Sequence, residues 1–393
     1  MLVSVLKEPA LGQFVRSLSF RSSGIKGRMY SDNEGKRQLE ECMRVVKQLF
    51  TLKASPDDID LYSCLRLWNV WFQLALLVLL LPSLRSIKLF IEAPHLSGID
   101  LWVNRIEDPF NDSTQSIPYL ISSRLEHLQE FSLIVEDPED GNSLDSRVLD
   151  FPFLLPSLKT VYFGTAFAND ASMNDVNPPP EKYWRASPVT SLTIEQSLVG
   201  IENLRELLEF PKALESFAFS YGGTSNNLST VEAVEICQAL LPHRTSLKRL
   251  EIRGYHDSRE EKQEPVGSVI TEFPVLEEVS IPVALLLRTE LLSAFPQSVV
   301  KLRLYLYDEW SLQTCEIQVH RLLDRKRNGL VYLHLKEIWI EYWYSADDNQ
   351  TISDDKWPEK RNKMMEGMVS FGKEVGVKLE FDVDETSRSY IWD

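Results

Sequence analysis

Leu81-Pro82-Ser83-Leu84-Arg85-Ser86-Ile87-Lys88-Leu89, Leu155-Pro156-Ser157-Leu158-Lys159-Thr160-Val161-Tyr162-Phe163 and Phe273-Pro274-Val275-Leu276-Glu277-Glu278-Val279-Ser280-Ile281 are three copies of one pattern. Each reads apolar-Pro-x-Leu-x-x-apolar-x-apolar. Proline ends a helix and pushes its predecessor toward extended backbone, so it marks a passage from helix to strand. The alternating tail has the period of a half-buried strand. Self-similarity at this scale predicts a repeat array in which each unit buries its apolar face against the next.

Aligned on the apolar-x-x-apolar-x-apolar core, ten frames begin at Val15, Leu84, Leu128, Leu158, Val189, Leu214, Leu247, Leu276, Val299 and Leu335. From Leu128 to Val299 they recur at the period of stacked structural repeats, roughly 20–45 residues. A degenerate last copy is Val377-Lys378-Leu379-Glu380-Phe381. Helical spacing lies between strands. Ile201 to Leu208 has it, as do Val231, Val234, Ile236, Leu240 and Leu241. Ile317 to Leu323 ends in Arg325-Lys326-Arg327-Asn328-Gly329, a helix stop, and Met364, Met365, Met368 and Phe371 predict a last helix closed by Gly372. The most apolar run extends from Leu67 to Leu81, with Asn69 and Gln73 inside it and Pro82 at its end. A membrane span needs about 20 apolar positions, so this shorter run predicts a buried helix feeding the Leu84 strand.

A strand followed by a helix, repeated along the chain at this period, resembles a leucine-rich repeat. Regular repeats of that family place an Asn eight positions after the first core residue. Here those positions hold Glu92, Glu136, Ala166, Gly222, Tyr255 and Tyr307, which predicts irregular turns. The expected fold is therefore α/β: an irregular leucine-rich-repeat-like solenoid, with a parallel sheet on the concave face and helices on the convex face. It is expected as a single solenoid domain over 1–393, the repeats covering about 15–381. Four stretches read as long surface loops: 22–35, 168–181, 256–267 and 345–359.

The chain has 393 residues, a hydrophobic content of 44% and a net charge of −16. That apolar content supports a core. The acidic balance argues against nucleic acid as the main partner. Cys42, Cys64, Cys237 and Cys315 lack metal-ligand spacing and read as reduced thiols. The first residues carry neither a basic segment nor a long apolar one, so no signal peptide is expected. A cytoplasmic or nuclear protein without membrane attachment is the expectation.

The sequence has no Gly-rich phosphate loop and no G-x-S-x-G elbow. His320 and His334 lie well apart without ligand spacing around them, and Asp57-Asp58, Asp347-Asp348 and Asp354-Asp355 read as solvated turn residues. Neither an enzyme, a metal nor a cofactor is expected.

Residues alternating with the buried strand positions form the other face of the sheet. Its middle is small and hydroxylic: Thr160, Ser191, Thr193, Ser216 and Ala218. Its last third is charged and aromatic. Arg249, Arg253, Lys301, Arg303, Tyr305 and Trp339 are the candidate partner-binding residues, fitted to an acidic or phosphorylated protein. Tyr342, Trp343 and Tyr344 would add apolar anchors. The competing account is a solvated face whose charges pair across strands, Arg249 with Glu278 and Lys301 with Glu337.

Glu8-Pro9-Ala10-Leu11-Gly12-Gln13-Phe14-Val15-Arg16-Ser17-Leu18-Ser19-Phe20 and the helix from Leu74 into Pro82-Ser83-Leu84 are similar to phrases of fungal F-box proteins with degenerate leucine-rich repeats. The resemblance implies a substrate receptor of a cullin-type (SCF) ubiquitin ligase: an F-box docks the adaptor, and the solenoid captures the substrate. Only Met1 to Phe14 precede the first frame, and Leu39 to Phe50 has no Leu-Pro-x-Glu-Ile-like helix start. An adaptor partner is thus expected only with an F-box upstream. The alternative expectation is a stand-alone scaffold with no ubiquitin role.

Overall fold

The computed structural model describes residues 9–21, 74, 77–78, 80–92, 125–136, 149–165, 167–168, 184–221, 231–254, 266–286, 291–306, 309–343 and 357–384. Of the predicted surface loops, 22–35 lies outside these residues, as does most of the other three. The fold class is α/β with all-parallel strand pairing. The chain divides into two compact units, 1–189 with 210–212, and 190–209 with 213–393.

In the first unit the strands are β1 (Ser17–Arg21), β2 (Ser86–Glu92), β3 (Glu130–Glu136), β4 (Thr160–Gly164) and the short β5 (Phe167–Ala168). β1 to β4 pair in chain order, all parallel. One rung runs Leu18, Ile87, Phe131, Val161, and the next but one runs Phe20, Leu89, Leu133, Phe163. These are the frame positions of the sequence pattern, in register. The described part of the apolar run before Pro82 behaves as predicted: Leu74, Leu77, Val78 and Leu81 are buried.

The proline of the pattern has a definite job. Leu84 N–H donates to Leu81 O at 3.2 Å and Leu158 N–H to Leu155 O at 3.4 Å. Each apolar-Pro-x-Leu is thus a β-turn-like loop with Pro at its second position, where its fixed φ fits. Phe273-Pro274-Val275-Leu276 does the same in the second unit, at 3.2 Å. Leu125 to Leu128 and Tyr332 to Leu335 close equivalent turns without proline, at 2.9 and 3.0 Å. The second of these is strained at Tyr332, whose φ of 50° is left-handed. Its phenol donates to Phe295 O at 3.1 Å, and its N–H donates to Gln297 Oε1 at 2.7 Å.

The second unit holds β6 (Ser191–Val199), α1 (Ile201–Glu209), β7 (Ser216–Tyr221), α2 (Ala233–Ala239), β8 (Arg249–Arg253), α3 (Gly267–Ile270), β9 (Glu278–Pro282), α4 (Leu291–Ala294), β10 (Lys301–Leu306), α5 (Glu309–Arg327), β11 (Glu337–Trp343), α6 (Trp357–Glu374) and β12 (Lys378–Asp384). β6 to β12 pair in chain order, all parallel. A single rung joins Leu192, Phe217, Leu250, Val279, Leu302, Ile338 and Leu379, every one buried. Burying each such side chain contributes about 1.5–3 kcal/mol.

The last helix differs from expectation at both ends. α6 runs through Gly372, and the chain leaves it at Gly376, whose φ of 71° is left-handed. Gly372 is needed for another reason: a Cβ there would lie 2.8 Å from Val377 O. α6 also begins at Trp357, so 357–359 is helix rather than loop.

At Leu214 a side chain takes the place of the turn carbonyl. Leu214 N–H donates to His243 Nδ1 at 3.3 Å, while His243 Nε2 donates to Leu208 O at 2.8 Å. The ring is 1% exposed, so a neutral imidazole satisfies one donor and one acceptor that water does not reach. Nearby, Ser246 Oγ donates to Leu214 O at 2.8 Å from a half-buried position. We expect His243→Ala to cost about 2–4 kcal/mol, because two buried backbone groups lose their partner. Ser246→Ala should cost about 1 kcal/mol. Urea midpoints would check this; equal losses for the two variants would contradict it.

Candidate functional site

The polar face of β8 to β12 arises because alternate positions of each strand are taken up by the core. In β8, Leu250 and Ile252 are buried while Arg249, Glu251 and Arg253 are not. Parallel pairing in register then stacks the remaining side chains into rungs.

The first rung is Arg249, Glu278, Lys301, Glu337 and Lys378. Its charge alternates in sign at every strand. Lys301 Nζ lies 3.2 Å from Glu278 Oε1, with both side chains well exposed. Of the two cross-strand pairs expected from sequence, Arg249 with Glu278 and Lys301 with Glu337 are register neighbours, but the ion pair that forms is Lys301 with Glu278.

Deeper along the strands, Glu251, Arg253, Arg303, Tyr305, Trp339 and Glu341 come together. Tyr305 OH donates to Glu251 Oε1 at 2.9 Å, and Arg253 Nε donates to both Tyr305 OH, at 3.1 Å, and Glu251 Oε1. The Arg253 and Arg303 guanidiniums lie 5.8 and 5.7 Å from the Tyr305 ring centre, and Arg303 lies 4.7 Å from that of Trp339. These are cation–π distances. Arg303 Nη2 also reaches Glu341 Oε2 at 2.7 Å. Two donors of the cluster, Arg303 Nε and Trp339 Nε1, have no acceptor among the described residues.

Of the six predicted residues, Arg253, Arg303, Tyr305 and Trp339 thus form one cluster. Arg249 and Lys301 lie on the first rung, on either side of Glu278, and are exposed. Tyr305 is only 1% exposed, enclosed rather than presented. Tyr342 shares the buried parity of Ile338 and Ile340 and faces the core; it is no surface anchor. Tyr344 lies outside the described residues. Glu251 and Glu341 complete the cluster, and sequence alone places them on this face without pairing them to the arginines.

Burial pushes the Tyr305 phenol well above its ordinary range, and Glu251 beside it adds to the shift against the opposing pull of Arg253 and Arg303. Burial works to lower the Arg253 guanidinium, but Tyr305 and Glu251 hold it above its usual value. Burial also pushes the Tyr332 phenol up, to about 12. Burial likewise raises the Cys237 and Cys315 thiols to about 12, which leaves them protonated and unreactive.

Among the described residues no group of three or more His, Cys, Asp or Glu side chains is placed to hold a metal ion. Among them, too, no helix is long and apolar enough to cross a membrane. No protein-family model matches this chain, and no curated protein matches it.

The cluster makes two predictions. A phenol whose folded-state proton is held above the ordinary value of about 10 contributes stability that is intact below that pH and is lost as pH rises past it. Tyr305→Phe should flatten that alkaline loss, and Tyr332→Phe should remove a separate part of it; spectrophotometric titration with parallel urea melts would show both. In the second test, Glu341→Gln should cost about 1.5–3 kcal/mol, because the largely buried Glu341 loses a charge-assisted bond to the half-buried Arg303. Glu278→Gln should cost less than about 1 kcal/mol, since its pair with Lys301 is exposed. Similar costs for the two would refute the distinction.

Proposed function

We propose that the chain is a non-catalytic protein-binding module: a degenerate leucine-rich-repeat-like solenoid, its parallel sheet concave and its helices convex. Its nearest functional class is the substrate-recognition part of an F-box receptor of a cullin-type ligase. The observation that carries this reading is the contiguous charged and aromatic face of β8 to β12, with Arg249, Lys301, Arg303 and Trp339 gathered on it. Arginine and tryptophan are the side chains that most often anchor interfaces. The regular recurrence of the frames along the sequence and the in-register rungs support the repeat architecture.

The division of labour within the face refines the partner. Arg253 and Arg303 are held by Glu251, Tyr305 and Glu341, so they serve as rigid supports. The cations that meet a partner are Arg249 and Lys301 on the first rung, with the indole of Trp339 on the next rung of the same face. That combination fits an acidic or phosphorylated protein segment carrying an apolar side chain. Ubiquitin-ligase membership rests on the resemblance of the first frames to fungal F-box proteins.

The test is affinity capture from native extract with and without proteasome inhibition. The wild-type chain is compared with the variant Arg249→Glu, Lys301→Glu, Trp339→Ala, its fold checked by circular dichroism. We expect recovery of the specific partner to fall at least about tenfold in the variant, the loss expected when interface anchors are removed. Adaptor and cullin subunits in both samples would fit a ligase receptor. A stable partner without them would leave a scaffold. Unchanged capture by the variant would sink the binding-face reading.

A further inference from the structure

β12 is the last strand of its sheet, and among the described residues nothing pairs with its outer edge. Beside that edge, α6 and β12 line an open groove of about 520 Å³, with Met365, Val369 and Phe381 as its apolar lining and Glu366 and Lys373 on its walls. In the preceding repeats of this unit, the corresponding edge is covered by the next strand. An exposed strand edge beside an apolar groove is a template for strand addition.

The charge pattern says what the added strand must carry. Across β8 to β12 the first rung alternates in sign and ends on Lys378. Continued by one strand, it calls for an acidic residue there. Two positions on, the rung ends at Glu380, and two further at Asp382; both call for a basic residue. Lys378 meets Glu380 at 2.6 Å in an exposed pair worth little, while Asp382 is exposed and has no ion pair among the described residues. Between these positions, Leu379 and Phe381 call for apolar residues. A second copy of β12 does not satisfy this: antiparallel about Phe381 it sets Glu380 against Asp382 twice.

We propose that the edge of β12 is a docking site for an extended protein segment of the pattern acidic-apolar-basic-apolar-basic, added as a further parallel strand. It continues the charged face past its last strand, and it needs neither the Arg253, Arg303 and Tyr305 cluster nor a ligase role.

The test uses the full chain and a fluorescein-labelled probe peptide, acetyl-Glu-Val-Lys-Leu-Lys amide. Controls are the charge-inverted Lys-Val-Glu-Leu-Glu and the reversed Lys-Leu-Lys-Val-Glu. In fluorescence anisotropy we expect the forward peptide to bind at least about tenfold more tightly than either control. Asp382→Lys should erase that preference and favour instead a probe whose last Lys is replaced by Glu. Equal affinities for forward and reversed peptides would overturn the proposal, and so would an Asp382→Lys variant with unchanged binding. Sedimentation showing that β12 is already closed by a second copy would do the same.

Discussion

The strands β2 to β4 and β7 to β12 each begin by handing backbone N–H to the carbonyl one position after the frame residue of the repeat before it. In the first unit, Arg16 O accepts from Arg85 and Ser86, Arg85 O from Gln129 and Glu130, and Gln129 O from Lys159 and Thr160, all at 2.8–3.1 Å. In the second unit, Thr190, Glu215, Lys248, Glu277 and Val300 each accept two N–H groups in the same way, and Lys336 accepts that of Lys378. A carbonyl has two lone pairs, so the arrangement uses both. It also fixes register, because slipping by one residue would turn every buried side chain toward water.

That dependence explains why the repeat is so loose in sequence. A backbone ladder asks nothing of the side chain whose carbonyl it uses, and Arg16, Gln129, Thr190, Glu277 and Val300 serve equally. What must recur is an apolar residue before the ladder and two after it in alternation. Those positions were legible, and the strand registers fall on them from Val15 to Leu335. The turn closing onto the first frame residue can be made by Leu-Pro, by a strained Tyr332, or by the ring of His243. The last of these left no trace in the pattern, since His243 lies in the following repeat, far along the chain from the Leu214 it serves. Helix ends were less legible for the same kind of reason. Gly372 looks like a stop until its closeness to Val377 O shows that it is small for packing, and the left-handed residue is Gly376.

The polar face was legible as a set of residues and illegible as a network. Alternation alone puts Arg249, Glu251, Arg253, Arg303, Tyr305, Trp339 and Glu341 on one side. It does not say that Tyr305 would sit under two guanidiniums, or that Glu341 would be enclosed enough to take Arg303. Those outcomes depend on how far each side chain reaches across neighbouring strands, a distance that spacing along one strand does not encode. Tyr342 shows the converse limit. The run Tyr342-Trp343-Tyr344 reads as a set of apolar anchors, but the parity of Tyr342 matches Ile338 and Ile340, and parity decides.

The internal pairing also bears on how an acidic chain of net charge −16 can present cations. A guanidinium held by a carboxylate at 2.7 Å and stacked on an indole at 4.7 Å adds little net positive potential. Its contribution is rigidity: a fixed ring and a fixed planar cation lose little entropy when something docks against them. The exposed Arg249 and Lys301 on the first rung carry the field that a partner would sense first, and with Glu278 between them that field is short in range. On the proposed binding face, recognition built this way would depend on fit at contact more than on long-range attraction, with the aromatic and guanidinium geometry held in place by Glu251 and Glu341.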